Sequence, residues 1–101
     1  MIVYNVTTKV DCSVADNWVH WMKEVHIPGI LATGYFTSYG FYKLLQVDDV
    51  EGKTFTVQYF ADNLDAYETY IKQYSAAFRQ EVMDNYGDKV IAFRSLMEQV
   101  V

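Results

Sequence analysis

The spacing of apolar residues in this chain switches repeatedly between two periods, and the order of the switches restricts the fold more than any single motif does. Over Met1–Asp11, Ile2, Tyr4, Val6, Thr8 and Val10 alternate with Val3, Asn5, Thr7 and Lys9. A period of two rich in β-branched side chains predicts a strand. The spacing then widens: Val14, Trp18, Trp21, Met22 and Val25 recur every three or four residues, the stripe of an amphipathic helix. Ser13 is the expected N-cap, and Asp16 adds a favourable charge in the first turn. Pro28 and Gly29 are expected to interrupt the helix, because proline removes a donor and disfavours helical geometry at Ile27. Ile30, Leu31 and Ala32 then form a short extra turn before Gly34.

Tyr35–Val47 is aromatic and β-branched and predicts a second strand, in which Gly40 marks a bulge or a close backbone approach. Asp48, Asp49 and Gly52 mark a turn, and Lys53–Ala61 alternates again around Phe55, Val57 and Tyr59, so the two segments form a hairpin. Asp62 or Asn63 caps a second, longer helix with the stripe Leu64, Tyr67, Ile71, Tyr74, Phe78 and Val82, off which Lys72, Arg79, Glu81 and Asp84 lie. Gly87 ends it, and Lys89–Val101 is a fourth strand. The order β-α-β-β-α-β predicts an α+β, ferredoxin-like fold over residues 1–101 as a single domain. In that fold a four-stranded antiparallel sheet carries two helices on one face.

Charge narrows the partners. Eight Lys and Arg against thirteen Asp and Glu leave a net charge of −5, with the cations scattered from Lys9 to Arg94. Nucleic acid is therefore not an expected partner, since its phosphates need clustered cations, and neither is an anionic membrane surface. Cys12 is the only cysteine, so no intramolecular disulfide forms. The first residues lack a basic and apolar export signal, and no apolar run reaches the ~20 residues of a membrane span, so a cytoplasmic protein is expected.

One sheet face remains open. With Ile2, Tyr4, Val6, Phe55, Val57, Tyr59, Ile91 and Phe93 facing the helices, the opposite face holds Val3, Asn5, Thr7, Thr54, Thr56, Gln58, Phe60, Val90, Ala92, Arg94 and Leu96. Such a face is too apolar for water and too polar for a monomer's core. A second copy packed sheet against sheet would cover it, and the expectation is a homodimer with Asn5, Gln58 and Arg94 at the interface. Arg94 there is either an anion contact or a charge held by partner acids; at a strand edge it would instead reach out to water.

The pattern with a half-apolar open face resembles the dimeric α+β barrel superfamily. A sharper likeness lies in Trp18-Val19-His20-Trp21-Met22-Lys23-Glu24-Val25-His26-Ile27-Pro28, followed by Leu31-Ala32-Thr33-Gly34-Tyr35-Phe36. This stretch is similar to a family of roughly hundred-residue bacterial proteins with a Trp-x-x-Trp-Met, His-Ile-Pro and Leu-x-Thr-Gly-x-Phe signature. That family has no established activity, so the resemblance carries no catalytic residue to this chain. The wider superfamily implies a ligand between helices and sheet, and includes cofactor-free monooxygenases, haem enzymes, lactone isomerases and ligand-sensing domains.

His26 is the candidate catalytic residue. On a wheel with Val14 at zero, Trp18, Trp21, Met22 and Val25 lie within about 80° and His26 near about 120°, bordering the stripe at the helix end. It is either a general base at the mouth of an aromatic cleft or a C-capping side chain that satisfies loose carbonyls. His20, on the far side, is expected in water. Tyr4, Trp18, Trp21 and Tyr59, with Phe93, are expected between helix and sheet, where they either stack on a flat ligand or simply fill the core. No His-x-His, His-Glu-x-x-His, acidic calcium loop, phosphate-binding loop or dinucleotide motif occurs, so neither metal nor cofactor is expected.

Three functions fit these residues. The first is binding of a small planar or aromatic molecule in the helix–sheet cleft. The second is cofactor-independent monooxygenase or isomerase chemistry in the same cleft, with His26 as base. The third is a non-catalytic structural or interaction module.

Overall fold

The computed structural model describes all 101 residues, Met1–Val101. Four strands form one antiparallel sheet in the order β2-β3-β1-β4, with β1 at Ile2–Asp11, β2 at Ser38–Lys43, β3 at Gly52–Ala61 and β4 at Val90–Glu98. The ferredoxin-like architecture expected from the period changes is present, with the helical segments on one face. β1 pairs along its length with β3, aligning Tyr4 with Tyr59 and Val6 with Val57, and all four side chains turn toward the helices.

The first helical stretch differs from its pattern. α1 (Ala15–Trp21) runs through a π-turn (Met22–His26) into α2 (Ile27–Ala32) without a break, and the N–H of Ile27 reaches the carbonyl of Met22 five residues back. Pro28 does not stop the helix. It sits at the start of α2, where a missing N–H is tolerated, and the widened turn before it relieves the clash a tight turn would impose. One extra residue in a turn rotates everything after it by about 100°. Val25, expected in the stripe, is therefore 49% exposed, while His26 and Ile27 are buried. Ser13 is not the N-cap either: its N–H and hydroxyl both donate to the Asp11 carboxylate, and Val14 takes the cap position. These two bonds hold the Asp11 carboxyl below its usual range.

The second helix repeats the device. α3 (Leu64–Tyr70), a π-turn (Ile71–Ser75) and α4 (Ala76–Tyr86) form a continuous run, capped by the Asn63 side chain accepting from the Ala66 N–H at 2.9 Å. Tyr70 and Ser75 enter the core, whereas Leu64 and Tyr74 of the expected stripe are exposed. The buried Ser75 hydroxyl is satisfied by the Ile71 carbonyl at 2.7 Å.

β2 is shorter than Tyr35–Val47. Gly34 takes φ +85° to end α2, and Phe36 turns inward onto Tyr59 and Tyr70 instead of joining the sheet. Gly40 is a point of close approach: the Tyr42 ring folds over it where a side chain would stand.

The largest departure is in β4. Its register places Val90 beside Val10, Ala92 beside Thr8, Arg94 beside Val6 and Leu96 beside Tyr4, all on the helix side. Ile91, Phe93 and Met97 therefore belong to the open face, the reverse of the expected assignment. Both parities of this strand carry apolar side chains, so alternation alone does not choose a face, and a one-residue shift exchanges them. Phe93 is consequently 69% exposed and leaves the aromatic core, while Arg94 leaves the predicted interface.

Candidate functional site

Between the helices and the β1–β4 half of the sheet lies a partly open cavity of about 60 Å³. Twelve of its seventeen lining residues are apolar. Tyr4 and Tyr59 rise from β1 and β3, Trp18 and His26 descend from the first helical stretch, and Tyr70 and Phe78 descend from the second. Arg79 and Arg94 line it as well. Tyr4, Trp18, Tyr59 and His26 are thus brought together as the sequence suggests. Trp21 is not part of the wall. It stacks on the imidazole of His26, 4.9 Å between ring centres, and meets Tyr86 on an edge.

His26 does not cap a helix end. It is buried and its Nδ1 donates to Oε1 of Glu81 at 3.0 Å. Burial, the dominant effect, holds its pKa below the usual imidazole range; the Glu81 carboxylate opposes this and the Arg94 charge adds to it. The imidazole is therefore neutral near pH 7, with Nδ1 protonated and Nε2 carrying a free lone pair. Phe78 stands edge-on to the ring at 5.8 Å, and Gly29 allows this packing, since a Cβ there would meet the Phe78 ring at 3.0 Å.

Tyr4 packs tilted against Tyr67 at 5.2 Å and Tyr59, and Trp18 packs against Phe55 and Phe41, so the rings do fill the core. Their polar atoms are another matter. Among the buried side-chain polar atoms, Trp18 Nε1 alone has no hydrogen-bond partner. Burial pushes the Tyr59 and Tyr70 phenols well above their ordinary value, so both remain protonated donors. Buried polar groups normally find partners, and the Trp18 indole N–H is the exception in this fold.

Glu81, Arg79 and Tyr70 were not marked as site residues by sequence pattern. The usable signals are slight: Glu81 follows the stripe residue Phe78 by three positions, and Arg79 and Arg94 are the chain's only arginines. No group of three or more His, Cys, Asp or Glu side chains converges anywhere in the fold.

Asn5 and Gln58 face each other on the open side, as expected. Asn5 Nδ2 donates to Thr7 at 3.1 Å and Ser95 at 3.4 Å, and Thr56 donates to Asn5 Oδ1 at 2.7 Å. Beside this polar network stand the exposed side chains of Ile91, Phe93 and Met97.

A family model for a domain of unknown function, DUF4286, matches residues 1–100. The chain belongs to the DUF4286 family. No curated protein matches it in sequence. Among solved structures it resembles a dimeric ferredoxin-like protein from an uncultured marine organism at 12% identity and TM-score 0.62, covering 99% of this chain and 95% of that one. An ethyl tert-butyl ether d (ethd) family protein from Bacillus halodurans matches at 10% identity and TM-score 0.69, covering 99% and 100%. SnoaB, a cofactor-independent oxygenase from Streptomyces nogalater, matches at 9% identity and TM-score 0.62, covering 99% and 94%. At these identities the likeness establishes the ferredoxin-like fold and nothing finer. No helix of this DUF4286 chain is long and apolar enough to cross a membrane.

Proposed function

We propose that this DUF4286 protein is a cytoplasmic homodimer that binds a small planar or aromatic molecule in the cavity beside His26. One observation carries the reading: a partly open, aromatic-lined cavity walled by Tyr4, Trp18, Tyr59 and Tyr70, with the Trp18 indole N–H buried and unpartnered. A flat apolar body fits the ring-lined walls, and an acceptor atom on it answers the Trp18 N–H. A purely structural role for this wall would leave the Trp18 N–H unpaired at a cost of about 1–3 kcal/mol, which weighs against the interaction-module reading.

The second copy covers the open face, burying Phe93 and Ile91 around the Asn5 network; a patch of ~800 Å² per chain would be ordinary for such a pair. A neighbour of the same fold described as a dimeric ferredoxin-like protein supports pairing as such.

A catalytic reading is favoured by the His26–Glu81 pair. Nε2 of the neutral imidazole accepts a proton from the bound molecule, and the Glu81 carboxylate, fixed on Nδ1–H, stabilises the imidazolium that forms. This is the chemistry of a cofactor-independent oxygenase or isomerase, and the fold shared with SnoaB is compatible with it. Protein purified from cells and crystallised should show density in the cavity against Trp18 and Tyr59. A cavity holding only water, with no planar aromatic molecule able to quench tryptophan emission, would overturn the binding reading. His26→Ala should bind but not turn over the molecule; retained turnover would remove the base from the account.

A further inference from the structure

The chain has two arginines, and both line the cavity: Arg79 from α4 and Arg94 from β4. Neither pairs with a carboxylate, although acids outnumber bases thirteen to eight. The ion pairs of the fold are His26–Glu81 and Lys43–Asp49. Arg79 and Arg94 are exposed residues that also line the cavity, so they belong to its open side. Their fields converge: each favours the ionised form of the Tyr70 hydroxyl, and Arg94 also acts on His26. In an acidic protein this end of the cavity is locally positive, and the two guanidinium forks are free to hold a planar anion.

We infer that the cavity takes a planar aromatic molecule bearing a carboxylate, held at the mouth by Arg79 and Arg94 while its rings pack against Trp18 and Tyr59. The inference rests on the binding reading above and adds the charge of the ligand. An uncharged molecule would leave both guanidinium groups in water at the mouth, whereas a carboxylate replaces that water with charge-assisted bonds.

Calorimetric titration of the full chain with 2-naphthoate and with its neutral isostere 2-naphthamide separates the two levels. Naphthoate should bind about tenfold or more tighter than naphthamide. In the doubly substituted Arg79→Gln, Arg94→Gln protein that preference should fall to about twofold or less, with naphthamide affinity unchanged. Arg79→Lys with Arg94→Lys should keep part of it, since charge survives but the bidentate fork does not. Both side chains are exposed, and thermal unfolding of each variant checks that the fold is kept. Equal binding of the two probes to the native protein overturns the carboxylate assignment and leaves the cavity reading standing. A preference that survives the double Gln substitution also overturns it, and failure of both probes to bind overturns both.

Discussion

Nδ1 of His26 stands 3.0 Å from Oε1 of Glu81, joining two helical segments 55 residues apart in sequence. Trp21 covers one side of the imidazole and Phe78 meets it edge-on, so the ring is held by packing as well as by the carboxylate. Burial lowers its proton affinity and Glu81 partly restores it. By nuclear magnetic resonance His26 should titrate below 6.5, its unperturbed value. Glu81→Gln should move the midpoint lower still, because the effect that opposes burial is removed. A midpoint at or above 6.5 in the native protein would contradict the site described above.

The same shift makes stability depend on pH. His26 binds its proton less readily folded than unfolded, so the unfolded chain takes up the proton first on acidification. The stabilisation is complete above the unfolded value and is lost as pH falls below 6.5, until the folded group also protonates. Urea unfolding followed from about pH 8 to about pH 5 should show this loss, and His26→Gln should flatten that part of the curve. An unchanged slope in the variant would mean that other groups set it.

Phe93 on the open face is a sharp test of the dimer. It is 69% exposed in the single chain, flanked by Ile91, and opposite Thr7 in the register. Phe93→Glu should give a monomer by light scattering at concentrations where the native chain is a dimer, with thermal unfolding of the protomer little changed. A native chain that is monomeric throughout would remove the dimer altogether.

The π-turn exchanges the expected roles of Val25 and Ile27. Ile27→Ala should cost about 2–5 kcal/mol, because Ile27 is 1% exposed and leaves a cavity behind it. Val25→Ala should change stability by no more than about 0.5 kcal/mol, as for an ordinary surface position. The opposite ranking in denaturant melts would restore the uninterrupted stripe.

Element order was legible from the residues because period is a local property. Ile2 to Val10 alternate, Phe55 to Tyr59 alternate, and the helical run after each repeats every three or four residues, so strands and helices follow from side-chain spacing. His26, Tyr4, Trp18 and Tyr59 could be chosen for the same reason, each lying on or next to the apolar side of its own element. Asn5 and Gln58 were placed on the open face by parity, and the β1–β3 register pairs them there.

What the tertiary structure decided is what no single element contains. The face of β4 depends on which residue of β1 lies beside Arg94, and with apolar groups on both parities only the register with Val6 settles it. The π-turns at Met22–His26 and Ile71–Ser75 rotate whole faces, because the packing of Ile27, Tyr70 and Ser75 outweighs the regular stripe. Glu81 and Arg79 look like ordinary solvated charges along the sequence, and Arg94 is expected there at the dimer interface. They become a site because two distant helical segments and an edge strand close around one cavity, and distance in space, unlike period, is set only when the chain folds.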